Sequence, residues 1–451
     1  MTIDIKLHAF PVREILLACA LLCACQGKTE TDTPVEPDPE PEIADYTVMV
    51  YACGGGTLDE STLQNLISSL NYGSTDKVKV TWQLNLSKKY QNTQMGGTVR
   101  FIVPEDPLDE YKMNSIESSI ADIAAYVKPQ KVSDTPSALY KPEVLSDYID
   151  WAAEECPAKN YIFVFSGHGN YWVPAYEKTK SVLFDDNFDN LPMTIDEFVE
   201  GVKNSCVDRF AVIYNDDCFS CHMENYTAYA DFADLAIGSA TPAKGNGGRY
   251  NVLLQLLNGI SNVKGRDLWS VLKTYCDAVA YSWKTDKVLD ISLFDLTQLD
   301  EMNALLKDMV EVMVKNYPAK KDLYDNAVKD ATVYYSEKGI CIPQVDLYSL
   351  LCNVDGRTSD WDSDTDKSDI STWLKPYMEY CRKALYSVKA RTSSTNGTTI
   401  QNGVYYSVGK EYEAAASQYE GTAFHEATGW GKVLSTFQQV LSAENNILNK
   451  E

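Results

Sequence analysis

Two short runs carry an apolar residue at every position: Tyr161-Ile162-Phe163-Val164-Phe165 and Phe210-Ala211-Val212-Ile213-Tyr214. A strand with one face in water alternates apolar and polar side chains. An unbroken apolar run instead predicts a strand buried on both faces, as in a parallel sheet covered by helices. Tyr46 to Ala52 predicts a first strand, and Lys77 to Leu86, Thr98 to Val103 and Phe232 to Ser239 predict three more. Between them the helical period takes over. Leu145, Tyr148, Ile149 and Ala152 fall on one face, so Glu143 to Cys156 predicts an amphipathic helix. Leu58 to Leu70 and Thr194 to Val202 predict two others. Strands alternating with helices indicate an α/β domain, expected over residues 46–289. From residue 290 to 451 the pattern is mainly helical, with helices over Leu299 to Tyr317, Lys321 to Tyr335 and Thr372 to Val388, and one strand over Gly403 to Val408.

The first residues follow a different logic. Lys6 and Arg13 precede an apolar stretch, Ile15 to Ala24, which is too short to span a bilayer and fits the core of an export signal. It ends in Leu22-Cys23-Ala24-Cys25, which resembles a bacterial lipoprotein lipobox. Residues 1–25 therefore read as a lipoprotein signal with Cys25 as the acylated residue; Cys19 is a second candidate, with a shorter apolar core before it. Two or more acyl chains on one cysteine anchor a protein stably. Residues 26–45 form an acidic, Pro-rich tether that cannot build a core. The expected location is the cell envelope, exported and held to a membrane by lipid. Composition adds one exclusion. Lys and Arg total 40 against 64 Asp and Glu, a formal charge of −24, which argues against nucleic acid or an anionic membrane surface as a direct partner.

The chemistry lies at the ends of the two apolar runs. The first leads into Ser166-Gly167-His168-Gly169 and the second into Asn215-Asp216-Asp217-Cys218. Functional groups in parallel sheets gather at the carboxyl ends of strands, so His168 and Cys218 can meet in space. A free thiol has a pKa of about 8.5 and an imidazole one of about 6.5, so the imidazole can take the thiol proton at neutral pH. The thiolate can then attack a carbonyl, with the backbone N–H groups of Gly169 and Cys218 as candidate oxyanion donors. Other readings compete for the same residues. Cys218-Phe219-Ser220-Cys221-His222 is a C-x-x-C-H string, the attachment signature of c-type haem. Cys218 and Cys221 could form a disulfide, and with His168 and His222 they offer zinc ligands, though at no known zinc spacing. Asp216 and Asp217 could cap the following helix. Outside the signal segment nine cysteines remain, and an odd number leaves at least one thiol unpaired within a monomer.

The separation of His168 and Cys218, 50 residues, matches the roughly 50 of caspases, but the local caspase signature around the cysteine is absent. The chain resembles a neighbouring group, the clostripain-like cysteine peptidases. The likeness rests on Met49-Val50-Tyr51, on the histidine segment Tyr161 to Trp172, on Asn215-Asp216-Asp217-Cys218 with Met223-Glu224 after it, and on Val345-Asp346-Leu347-Tyr348 and Thr428-Gly429-Trp430. It implies a caspase-like, mostly parallel sheet flanked by helices and a Cys218/His168 dyad acting on a protein or peptide. Asp216 would lie in the pocket for the residue before the scissile bond (P1) and favour Arg or Lys. One departure concerns Ser239-Ala240-Thr241-Pro242-Ala243-Lys244, where relatives often carry acidic residues, so strict basic specificity is not implied. Some relatives need calcium or cleave themselves; Asp185-Asp186-Asn187-Phe188-Asp189 is a candidate calcium loop, with a solvated acidic loop as the plainer alternative. A peptidase fold that binds without cleaving is a further alternative.

Overall fold

The computed structural model describes residues 43–108, 116–169, 172, 183–245, 248–283, 289–335, 341–356, 368–390 and 403–441. Cys25, the signal segment and most of the tether lie outside the described residues.

Ala44–Cys53 is buried along its whole length and forms β1. It starts two residues earlier than expected because Asp45 is drawn into the fold: Lys159 Nζ donates to its carboxylate at 2.8 Å and Asn160 Nδ2 to its carbonyl at 3.0 Å. There follow α1 (Asp59–Leu70), β2 (Val78–Asn85), β3 (Thr98–Ile102), α2 (Ile116–Val127), β4 (Gln130–Ser133), α3 (Pro142–Glu155) and β5 (Ala158–Ser166). A small hairpin, β6 (Leu183–Asp185) and β7 (Leu191–Met193), precedes α4 (Ile195–Lys203), β8 (Phe210–Asp216), α5 (Met223–Tyr229) and β9 (Ala233–Gly238). The chain continues through α6 (Tyr250–Asn258), α7 (Gly265–Trp283), β10 (Leu289–Asp295), α8 (Leu299–Asn316), α9 (Lys321–Asp330) and β11 (Val333–Tyr335). It ends with β12 (Cys341–Asp346), α10 (Leu347–Val354), α11 (Ser371–Ala384), β13 (Leu385–Ala390), β14 (Gly403–Tyr405), α12 (Lys410–Tyr419), α13 (Ala423–Thr428) and α14 (Gly431–Thr436). Among the described residues no helix is long and apolar enough to cross a membrane.

The main sheet runs β13-β10-β9-β8-β5-β1-β2-β3-β4. Its centre, from β9 to β2, is parallel, and antiparallel strands extend both edges. The pleat explains the unbroken apolar runs. Met49, Tyr51, Phe163, Phe165 and Ile213 face one way, into a core shared with α3, α4, α5, α8 and α11. Val48, Val50, Ile162, Val164 and Val212 face the other way, into a core shared with α1, α2, α6 and α7. Each strand residue is thus buried whichever face it takes.

Two expectations need correction. The helix expected over Lys321 to Tyr335 stops at Asp330, because Ala331 turns extended and Val333–Tyr335 pairs with β12. The helix expected over Thr372 to Val388 stops at Ala384, and Leu385 onward joins the main sheet against β10. In both, a helical apolar spacing runs into residues that long-range pairing recruits as strand. β10, which begins at Leu289, is a strand of the main sheet, so the sheet continues past residue 290.

The core beneath the central strands is aromatic. Phe198 of α4 is fully buried, with its ring 5.8 Å from Phe163, 5.9 Å from Phe165 and 5.3 Å from Tyr229. Phe198→Ala should cost about 3–5 kcal/mol through lost burial and the cavity left behind. Equilibrium denaturation measures it; a loss under about 1 kcal/mol would mean the site collapses around the gap rather than resisting it.

Candidate active site

β5 and β8 are parallel neighbours, and Ser166 sits directly opposite Asp216 in their register. His168 lies two residues beyond Ser166, and Cys218 two residues beyond Asp216. Equal overhang from adjacent strands, about 4.8 Å apart, brings the imidazole and the thiol out at the same end of the sheet. Both line one cavity of about 640 Å³, together with Asp216, Asp217, Pro242, Ala243, Lys244 and the apolar Leu58, Trp283 and Leu289.

The backbone holds each group in place. The carbonyl of His168 accepts the Phe184 N–H at 3.1 Å, which ties the histidine loop to β6. Its Nε2 lies 3.5 Å from Thr57 Oγ1 and 3.7 Å from Asp186 Oδ2. Burial lowers the His168 pKa, and the Asp186 carboxylate works against that fall. After Cys218 the chain turns sharply through Phe219, whose φ of +59° is rare for an aromatic residue. Such conformations persist where the surroundings enforce them. Here the Phe219 N–H donates to the Thr241 carbonyl at 3.1 Å and the Cys221 N–H to the Ser239 carbonyl at 3.0 Å. The loop they hold also reaches Cys218: the Ala243 N–H donates to its Sγ at 3.3 Å. Asp290 secures that loop from below, accepting from Ser239 Oγ, the Ala240 N–H and Thr241 Oγ1.

Asp216 is buried and heavily bonded. It accepts from Tyr250 Oη at 2.7 Å, Asn65 Nδ2 at 3.0 Å and Tyr214 Oη at 3.3 Å. Burial pushes its carboxyl up to about 6, and the two tyrosine hydroxyls pull the other way. It reaches the cavity and does not cap α5, which begins instead at His222. Burial drives the Asp217 carboxyl far above the usual range, with partial relief from Ser220 and Asn215. Gly169 packs on that carboxyl so closely that any Cβ would collide with it. Gly169 does not line the main cavity; with His168, Phe184, Asp186 and Asn190 it borders a smaller one of about 230 Å³.

The competing readings of Cys218 lose their footing. No disulfide joins Cys218 to Cys221. Cys221 is fully buried, with its thiol pushed up to about 12. His222 is buried too; its Nδ1 lies 3.2 Å from Glu224 Oε2 and accepts the Asn225 N–H. Neither can reach a haem, so the C-x-x-C-H string is a strand-to-helix turn. Among the described residues no three His, Cys, Asp or Glu side chains gather as metal ligands. The acidic loop spends its carboxylates separately: Asp185 accepts the Leu139 and Asn187 N–H groups at 3.1 Å, while Asp186 turns to His168. That arrangement does not gather them around one calcium ion.

Asn65, Tyr250, Thr57, Ala243 and Asp186 escape a reading of the sequence alone, since each reaches the site from a separate part of the chain. The glycine run Cys53-Gly54-Gly55-Gly56 and the acidic loop were the available signals for Thr57 and Asp186. Three of the resemblance segments, those of Trp172, Glu224 and Trp430, meet in one joint. Glu224 Oε1 accepts Tyr419 Oη at 2.7 Å and the Tyr405 N–H at 3.0 Å, and Trp430 Nε1 donates to the Tyr405 carbonyl at 3.0 Å. The Tyr405 and Tyr419 rings then clasp Trp172, from the histidine segment, at 4.7 and 4.8 Å.

A parallel sheet carrying thiol and imidazole at adjacent strand ends is the architecture of a caspase-like cysteine peptidase. The clostripain family model, peptidase family C11, matches residues 130–437, and the chain belongs to that family. Solved structures agree on the fold. A secreted C11 cysteine protease from Bacteroides thetaiotaomicron, in complex with an irreversible peptide inhibitor, is 16% identical with a TM-score of 0.58; the match covers 86% of this chain and 99% of that one. An inactive zymogen C11 protease from Parabacteroides distasonis is 17% identical over the same shares, also with a TM-score of 0.58. A search of curated protein sequences finds no match.

Proposed function

We propose that the protein is a cysteine endopeptidase in which Cys218 is the nucleophile and His168 the general base, acting through an acyl-enzyme. The observation that carries this reading is the β5–β8 register, which gives the two side chains equal overhang into one cavity. His168 takes the proton from Cys218 Sγ, and the sulfur attacks the scissile carbonyl carbon. The new oxyanion is met by the N–H groups of Gly169 and Cys218. As the C–N bond breaks, the imidazolium returns its proton to the departing amine. Water, deprotonated by His168, then cleaves the thioester and restores the thiol.

Asp216 is the acid proposed for P1 recognition. A buried carboxylate facing a guanidinium or ammonium makes a strong charge-assisted contact. Lys244, on the wall of the same cavity, opposes a second cation there. The reading is therefore a preference for Arg or Lys rather than strict selection. The signal-like N-terminus supports export and lipid attachment at Cys25, and the word secreted, used of the Bacteroides thetaiotaomicron relative, agrees with export.

A fluorogenic panel with Arg, Lys, Asp, Leu or Ala at P1, with and without added calcium, tests the proposal. Turnover of the basic substrates should fall by about a thousandfold or more in Cys218→Ala; retained turnover would remove the nucleophile assignment. Silence of the intact enzyme across the panel, after testing for an activating cleavage, would favour a binding protein on a peptidase fold.

The Asp216 carboxyl, held near 6, gives a pH signature. Below that pH it is neutral, and above it the carboxylate attracts a P1 cation. The ratio of kcat/KM for Arg over Ala substrates should rise through about 6 and level off, because steps common to both substrates cancel. In Asp216→Asn the ratio should stay flat, and a flat ratio in the wild type would exclude Asp216 from P1 recognition.

Lipid attachment predicts that Cys25→Ser moves the protein from the membrane fraction to the soluble exported fraction. Unchanged membrane association would point to a different anchor.

A further inference from the structure

His168 has a second neighbour besides the thiol, and the fold is shaped to bring it there. Asp186 follows β6 and presents Oδ2 at 3.7 Å from His168 Nε2. It is mostly shielded, with 18% of its side chain exposed against 38% for His168. The approach is possible only because the loop after β1 is glycine. Gly56 has a φ of +53°, and a Cβ there would lie 2.5 Å from Asp186 Oδ2. That loop is pinned in turn by Asp59, which accepts the Gly55 N–H at 2.8 Å and the Ser87 N–H at 3.0 Å. Asn187 Nδ2 reaches back to the Gly54 carbonyl. Three separate stretches of chain, the ends of β1 and β5 and the turn after β6, therefore converge on one imidazole nitrogen.

We propose that Asp186 is a positioning residue for His168: it accepts a hydrogen bond from Nε2–H, fixes the tautomer that leaves Nδ1 free for the Cys218 proton, and stabilises the imidazolium that forms. The proposal rests on Cys218 and His168 being the reacting groups. The proton moves from Sγ to Nδ1 and later to the leaving amine, while Asp186 keeps its negative charge throughout. The resting separation is longer than a hydrogen bond, as is common before substrate arrives, and a positive ring would shorten it. Thr57 Oγ1, at 3.5 Å from the same nitrogen, shares the position without carrying charge.

Among the described residues the titratable and charged groups around the pair are few. His168 faces Asp186 on one side. On the other, Cys218, Asp216, Asp217 and Lys244 share its cavity. Asp186 faces His168, Asp59 and Asp185. Asp186 and His168 each favour the charged form of the other, while burial opposes both. Removing the Asp186 charge should therefore make the imidazolium harder to form.

The chain has four histidines, so the titration of His168 can be followed by NMR on full-length protein with labelled histidine and assigned with His168→Ala. In Asp186→Asn the His168 pKa should fall, and kcat/KM should drop by about 10- to 100-fold with its acid limb moved to lower pH. Asp186→Glu should recover part of both. An unchanged His168 titration in Asp186→Asn overturns the proposal, whether or not activity falls, since a purely structural role would not move the ring's pKa. Failure of the underlying dyad looks different: His168→Ala or Cys218→Ala would then keep activity, whatever Asp186→Asn does to the titration.

Discussion

The site depends on the hydrogen-bond register between β5 and β8. The pairing of Ser166 with Asp216 decides that His168 and Cys218 leave the sheet together. Because side chains alternate along a strand, a slip of one residue would turn every buried side chain of one strand to the wrong face. The two apolar cores forbid that slip. Phe163 and Phe165 are committed to one core, Ile162 and Val164 to the other, and neither face offers water as an alternative. The placement of His168 and Cys218 is thus fixed by hydrophobic burial in the sheet, well away from the pair itself.

Around that fixed pair the protein assembles an unusual density of acid. Asp186, Asp216 and Asp217 all lie within the two cavities that His168 borders, and burial raises each carboxyl above its ordinary range. Desolvation disfavours a carboxylate unless a partner compensates. The three partners differ. Asp186 has an imidazole, Asp216 has two tyrosine hydroxyls and an amide, and Asp217 has only weak relief while supporting the backbone of Gly169. One residue type in one neighbourhood is thereby given three protonation behaviours by its surroundings. The C-terminal segment contributes through a different contact, since Glu224 locks Tyr405 and Tyr419 around Trp172 and so steadies the histidine segment from outside the sheet.

Much of this was legible in the sequence, for a definable reason. The central strands are buried on both faces, and such strands write a short unbroken apolar run whose length and β-branched and aromatic residues separate it from a buried helix. α1, α3, α4 and α8 each match the expected helix to within two residues at either end, because their buried residues recur at helical spacing. Legibility failed where tertiary pairing overrode local pattern, at Val333–Tyr335 and Leu385–Ala390. The helices α2, α6 and α7 were overlooked, although in α7 Leu268, Leu272, Tyr275, Cys276 and Val279 carry the helical spacing in full. In the site, His168 and Cys218 could be read because each ends an apolar run. Asp186 could not: its place beside His168 depends on a glycine loop about 130 residues earlier opening a space for it, and a single chain shows no such long-range coincidence. In the acidic loop, carboxylates adjacent in sequence part in space, since the backbone sends Asp185 and Asp186 to different partners.

The most direct test is covalent. A peptidyl electrophile with Arg at P1 should be incubated with the native protein and the modified thiol located by peptide mapping. The exposed Cys206 serves as an internal control for unassisted reactivity, and the buried thiols as controls for unfolding. Modification at Cys218 alone, abolished by His168→Ala while Cys206 still reacts with a simple alkylating agent, is the predicted result. Modification at Cys206, or at Cys218 with the same rate when His168 is absent, would contradict the claim that strand register joins the two into one reacting unit.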